Sequence, residues 1–254
     1  MHSSARTTVV RGSAMSRPDG TGFVAAMTAL YRAGEQDDLC APFLASFPVD
    51  SVAISTLGDP LGSETVGASD DSAARWDEIQ LDLGEGPCWE AVDRGAPVLV
   101  PDLQDAETVR WPLALHALRA TQLGAVFAFP MHVGPIPVGA VDLYGRASVS
   151  LRPSVVEDAV IMTGLVARHV LHRALVRTER AEEGTWNTGS GSGRFSRREV
   201  HQASGMIAAQ TGAGAADSLL LLRAFAHTAG RSVLELAADV VAGRVDFTDH
   251  GEPE

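Results

Sequence analysis

The stretch LGEGPCWEAV, residues 83–92, sets Cys88 beside two glycines, a proline and a tryptophan. A cysteine at the start of a helix is a candidate nucleophile, because the helix dipole and unpaired amides stabilise a thiolate. Here Glu85 and Glu90 stand close in sequence and push a thiol the other way, and no histidine is near. The other cysteine, Cys40, ends an acidic stretch, EQDDLC. Three readings follow: thiol chemistry, a pocket-lining role for Cys88 with Trp89, and burial as small apolar groups. Burial is the default for free cysteine.

Two cysteines cannot build a disulfide framework or a four-cysteine metal site. None of the eight histidines stands in a metal-ligand spacing; His169 and His172 share one face of a helix, the usual position of a solvated pair. LGEGP lacks the lysine and hydroxyl of a phosphate-binding loop, and no GxGxxG follows a strand, so nucleotide hydrolysis finds no support. No metal site is expected.

The second cluster of interest is cationic. RFSRREVHQASGMIAAQ, residues 194–210, reads as a helix opened by a capping box of Ser196 and Glu199. At 100° per residue, Val200, Ala203, Met206, Ile207 and Gln210 gather on a core side. Arg197, Arg198, His201, Ser204, Gly205 and Ala208 gather on the opposite, exposed side. A glycine inside a helix costs about 1 kcal/mol relative to alanine. On an exposed face it admits the close approach of another backbone, and flanking arginines suit phosphate. The alternative is a solvated basic helix with an incidental glycine.

The elements that must position these residues are legible in outline. FVAAMTALYRAG (23–34) has helical apolar spacing, DSVAISTL (50–57) and SETVGAS (63–69) read as strands, and PCWEAVDRG (87–95) is a short helix between proline and glycine. PVLVPDL (97–103) reads as a buried strand and WPLALHALRAT (111–121) as a helix. AVFAFPMHV (125–133) and PVGAVDLYG (137–145) form a strand pair, and a long helix runs over 154–183. Its apolar stripe is predicted at Val156, Val160, Thr163, Ala167, Val170 and Ala174, with length to spare for pairing two chains. Two further helices follow at 215–228 and 232–243, the last opened by a capping box of Ser232 and Glu235.

GTWNTGSGSG (184–193) reads as a flexible linker and divides the chain. The expected organisation is a disordered leader over 1–21, an α+β domain over 22–178 with an antiparallel sheet flanked by helices, a linker over 179–193, a small all-α three-helix module over 194–244, and an acidic tail over 245–254. Charge follows this division. The net charge is −12, yet residues 194–244 carry 6 arginines against 4 acids while residues 1–193 carry 14 against 24. An acidic body joined to a mildly basic module suggests different partners for each. No uninterrupted apolar run reaches membrane-spanning length and the N-terminus has no signal-peptide core, so a cytoplasmic location without a membrane partner is expected.

At this point the residues resemble two known families. VHQASGMIAAQTG followed by SLLLLRAFAHTAGRSVLELAADVV resembles an ANTAR domain, with Gln202, Ala203, Gly205 and Met206, then Leu222, Arg223 and Ala226, then Leu236, Ala237 and Val240 in the matching positions. LGEGPCWEAVDRGAPVLVPDL, within residues 22–178, resembles the loop–helix–strand section of a GAF sensor domain. The resemblance implies a transcription antitermination regulator: a GAF domain that senses a signal, and an ANTAR module that binds tandem hairpins in nascent RNA, as a homodimer and without catalysis. It implies RNA contacts at Arg194, Arg197, Arg198, His201, Gln202, Ser204, Gly205 and Arg223, and a small-molecule ligand, not specified, near Cys88 and Trp89. Two positions depart from the family pattern. Ser204 and Ala224 stand where basic residues are usual, and fewer cations mean weaker, less salt-sensitive binding. The competing readings are a DNA-binding or protein-interaction regulator built on the same module, and a GAF-fold thiol reductase, which requires Cys40 and Cys88 to meet.

Overall fold

The computed structural model describes residues 21–58, 61–107, 109–182 and 197–248. The expected leader up to residue 20, the linker segment 183–196 with Arg194 and Ser196, and residues 249–254 lie outside the described residues.

Five strands form one antiparallel sheet of order β2-β1-β5-β4-β3: β1 (Ser51–Thr56), β2 (Glu64–Ala68), β3 (Val98–Val100), β4 (Ala125–Val133) and β5 (Ile136–Gly145). Alternation of side chains sends the strand residues to two faces. Val52, Ile54, Phe127, Phe129, Val141 and Leu143 pack on one side with α1 (Thr21–Arg32), α2 (Ala41–Ser46) and α6 (Pro153–Glu182). Ala53, Val98, Val100, Val126, Ala128 and Tyr144 pack on the other with α3 (Asp71–Leu83), α4 (Pro87–Arg94) and α5 (Pro112–Ala120). The result is a helix–sheet–helix sandwich with the central strand β5 buried on both faces. This is the α+β architecture the sequence predicts.

Two expectations need correction, and one helix needs comment. The stripe of α6 holds at Thr163, Ala167 and Val170, which are buried as predicted, but its first turns are shifted: Val155, Ala159 and Met162 are buried, whereas Val160 is 46% exposed. Strand β3 is an edge strand, and its middle residue Leu99 faces solvent. The stretch Pro153–Arg177 is apolar and long enough to cross a membrane by composition, although no uninterrupted run suggested it. Val155, Ala159, Met162, Val166, Ala167 and Val170 serve the core against the sheet, while Val160, Ile161 and Leu175 are exposed.

Helices α7 (Arg198–Thr211), α8 (Ala215–Ala229) and α9 (Val233–Val241) follow, and they share a core of Val200, Ala203, Ile207, Leu222, Ala226, Leu236, Ala237 and Val240. The Ser232–Glu235 capping box is present in full, with the Glu235 amide donating to the serine Oγ at 3.1 Å and the Ser232 amide to the glutamate at 3.2 Å. At α7 the N-cap is Arg197 rather than Ser196, so the helix starts one residue later than the predicted box requires.

Candidate functional site

Helix α3 has no counterpart in the sequence expectations, yet it organises both polar centres of the molecule. Asp70 caps it, accepting from the Ser72 and Ala73 amides, and Gly84 ends it in the left-handed conformation. Its inward face carries Asp77 and Gln80, both fully buried.

Opposite them, Asp142 stands on the central strand, paired with Ala53 on one side and Ala128 on the other. These small neighbours leave room for the polar side chains of α3. Gln80 donates from Nε2 to Asp142 Oδ2 at 2.6 Å and to the Tyr144 hydroxyl at 3.2 Å, and Tyr144 donates to the same carboxylate oxygen at 3.1 Å. The Ser55 and Thr65 hydroxyls both donate to Asp77 Oδ2. Asp142 Oδ1 has no hydrogen-bond partner. Burial, reinforced by the charge of Asp77, pushes the Asp142 carboxyl up to about 7. Burial also raises Asp77, partly offset by its two hydroxyl donors.

The LGEGPCW segment is tied to the same glutamine. The Cys88 amide donates to Gln80 Oε1 at 3.1 Å, and Trp89 Nε1 donates to the Gln80 carbonyl at 2.9 Å. Gly86 adopts φ 142°, and a Cβ there would lie 2.6 Å from Gln80 Oε1, so the chain can turn this closely only with glycine. Cys88 packs with Leu57, Leu81 and Ala140 on the α3 side of the sheet. Cys40 packs with Leu30 and Phe43 on the opposite side. Burial raises both thiols well above the ordinary range, and acidic neighbours add to it. The sheet therefore separates the two sulfurs that a thiol reductase would need together.

The second polar centre lies between α3 and the three-helix bundle. Arg197, predicted on the exposed face of α7, is 3% exposed, and its guanidinium is paired with the Asp82 carboxylate. The other oxygen of Asp82 accepts from the Val233 amide at 3.0 Å. Arg223 donates to the Leu81 carbonyl at 3.1 Å and stands over the Trp89 ring, 6.0 Å from its centroid. Gly84 leaves room for that arginine: a Cβ there would come within 2.7 Å of its guanidinium. Beside this contact a cavity of about 390 Å³ is lined by Thr65, Asp71, Ala74, Arg75, Glu78, Arg197 and Leu234. Cys88 and Trp89 do not line it.

The remaining RNA candidates divide. Ser204, also predicted on the exposed face, is buried at 7%, and its hydroxyl donates to the Ala215 carbonyl at 3.1 Å where α7 meets α8. The helical wheel misplaced it because the chain leading into α8 folds back over that side of α7. His201 and Gly205 are exposed as predicted, and Gln202 is exposed too, with His201 beside Gly62 of the β1–β2 turn and open space around Gly205. Arg198 belongs to α7, but its side chain, like Arg194, lies outside the described residues. Of the histidine pair on α6, His169 contacts the Leu30 carbonyl at 2.8 Å and His172 is exposed.

No family model matches the chain. No curated protein matches it either. Solved structures are similar in fold to part of the chain. The GAF domain of the Acinetobacter phosphoenolpyruvate-protein phosphotransferase aligns with 64% of this chain and 98% of its own, at 10% identity and a TM-score of 0.45. The GAF domain of the cyanobacteriochrome TePixJ aligns over 54% and 87%, at 20% identity and 0.41. The fRMsr of Staphylococcus aureus in its reduced form aligns over 65% and 99%, at 11% identity and 0.43.

Proposed function

We propose that the chain is a cytoplasmic, signal-responsive transcription antitermination regulator, in which a GAF-type sensor over residues 22–178 controls an RNA-binding ANTAR module over 194–244. The sensor reading draws on the sheet order and on the resemblance of residues 83–103. The output reading rests on one observation above all. Gly205 sits in the interior of α7, on an exposed face, with nothing packed against it. A helix-interior glycine that serves neither a turn nor a core contact is a cost of about 1 kcal/mol, which the close approach of an external backbone offsets. His201 and Gln202 flank it with donors and acceptors suited to phosphate and to unpaired bases.

The test is a titration of the full-length protein against a tandem-hairpin RNA, with matched duplex DNA as control, at two salt concentrations. RNA-selective, salt-sensitive binding is expected. Equal affinity for duplex DNA, or no RNA binding by the full-length protein, overturns the reading.

A protein-interaction role for the same module is favoured by a different observation. Helix α8 exposes Leu220 at 63%, Leu221 at 40% and Phe225 at 38%, a surface with little charge to offer phosphate. In the antitermination reading this surface pairs two copies into the expected homodimer. Concentration-dependent mass measurements with Leu220→Asp separate the two uses: loss of the dimer with RNA binding weakened supports pairing, and loss of a partner with RNA binding intact supports interaction.

A further inference from the structure

Asp82 stands in the last turn of α3, next to the exposed carbonyl ends of its own helix. A carboxylate there is electrostatically unfavourable, since the C-terminus carries the negative end of the helix dipole. The contacts across to the bundle reverse that balance. One Asp82 oxygen takes the Arg197 guanidinium, and the other takes the amide of Val233, the first residue of α9. That amide is one of the unpaired donors every helix leaves at its N-terminus. Conversely, the Leu81 carbonyl, one of the unpaired acceptors at the end of α3, takes Arg223. The two helix ends complete one another: α3 supplies an anion to the start of α9, and the bundle supplies a cation to the end of α3.

The contact is also incomplete. Only Arg197 pairs with the carboxylate; Arg223 is held by the Leu81 carbonyl alone, and its Nε–H is buried without a hydrogen-bond partner. Burial and the neighbouring charge of Arg197 both disfavour the Arg223 cation in this position. Such an interface holds the bundle without binding it permanently, and a polyanion offering several phosphates competes well for both arginines.

We infer that the last turn of α3 is an internal latch, with Asp82 and the Leu81 carbonyl occupying the two arginines that the bundle otherwise presents to nucleic-acid phosphate. The part of the inference that concerns RNA rests on the function proposed above; the latch itself does not. Its position also connects it to the interior. Gln80, one residue before Leu81, carries the bonds to Asp142, Tyr144 and Cys88, so a rearrangement of that buried cluster moves the turn that holds the bundle.

The test uses full-length Asp82→Ala, a substitution that suits a helix interior and removes the unfavourable charge from the end of α3. Hydrogen exchange is followed at residues 80–89 and 231–236, and affinity is measured for a tandem-hairpin RNA. The expected result is about tenfold faster exchange at both segments, an unchanged thermal transition for the sheet, and RNA binding about fivefold to tenfold tighter. Faster exchange with no RNA binding in either protein supports the latch and overturns the RNA reading. Unchanged exchange overturns the latch, and RNA bound equally by both proteins then leaves the RNA reading standing. The reversed pair Asp82→Arg with Arg197→Asp guards against a trivial folding defect: it re-forms the ion pair and slows exchange at both segments relative to Asp82→Ala. If the reversed pair exchanges as fast as Asp82→Ala, the ion pair is not what holds the bundle.

Discussion

Arg223, on the second helix of the C-terminal bundle, donates to the carbonyl oxygen of Leu81 at 3.1 Å and lies over the Trp89 ring. Together with Arg197 on Asp82, it fastens the bundle to the turn that follows the buried glutamine. Hydrogen bonds from charged donors contribute about 1.5–3 kcal/mol, and Arg223 here lacks a carboxylate and leaves Nε unpaired. Arg223→Ala is therefore expected to weaken the contact by about 1 kcal/mol, a fivefold to tenfold rise in the separated form. Exchange at the Gly84–Trp89 segment reads this directly. A variant with unaltered exchange would mean that Arg223 merely rests on the surface.

The buried pair Asp77 and Asp142 predicts how stability depends on pH. Asp142 has an ordinary value of 3.8 when the chain is unfolded and about 7 when folded. Between these values the folded protein binds more protons, so stability falls as pH rises, by at most about 1.4 kcal/mol per pH unit for a single group. The loss is complete above pH 7 and absent below pH 4. Asp77, raised by burial as well, contributes with the same sign. The urea midpoint is expected to be lower at pH 8 than at pH 5, and Asp142→Asn to flatten the difference whatever its absolute stability. A wild-type midpoint that rises over this interval would show that Asp142 is ionised at little cost.

Helix α3 shows why part of the site was hidden from the sequence. Its ends were marked, by Asp70 at the start and Gly84 at the close. Its inward positions are Ala73, Trp76, Asp77, Gln80 and Leu81, and two of those five are polar. A search for apolar spacing passes over a helix that buries an aspartate and a glutamine, because the signal assumes that inward means apolar. The strands β1, β4 and β5 and the helices α4, α5 and α8 carry ordinary patterns and were legible. The burial of Arg197 depends on Asp82, 115 residues away in sequence, and no local pattern encodes such a pairing. Ser204 was misplaced for a related reason: its partner is the backbone of Ala215, in the next helix.

The cysteines make a separate prediction. Both thiols are about 1% exposed and held protonated by burial, Cys88 beside Asp142 and Cys40 beside Asp38. The thiolate is the reactive form, so a thiol reagent at pH 8 is expected to leave the folded protein unlabelled over minutes and to label two sites once urea unfolds it. Cys88→Ser is expected to leave RNA binding unchanged, at a modest cost in stability from a hydroxyl set among Leu57, Leu81 and Ala140. Rapid labelling of Cys88 in the folded chain would instead bring the thiol-enzyme reading back.

Gly205 separates stability from function most sharply. A Cβ at this position meets nothing within 4 Å. The residue is mid-helix, so no turn demands glycine. Gly205→Ala is expected to stabilise the bundle by about 0.5–1 kcal/mol, through the lower backbone entropy of alanine in the unfolded chain and its better helix propensity. Thermal unfolding of the full chain reads this as an upward shift of the transition that involves α7–α9. If the exposed face of α7 receives an RNA backbone, the added methyl group stands where phosphate or sugar must approach, and the more stable variant binds hairpins several-fold more weakly. If the face is only solvated, the variant gains stability and binds as before. A substitution that improves the fold and harms the binding would have no explanation within the isolated molecule, and Asp82→Ala combined with Gly205→Ala makes the comparison with the bundle released.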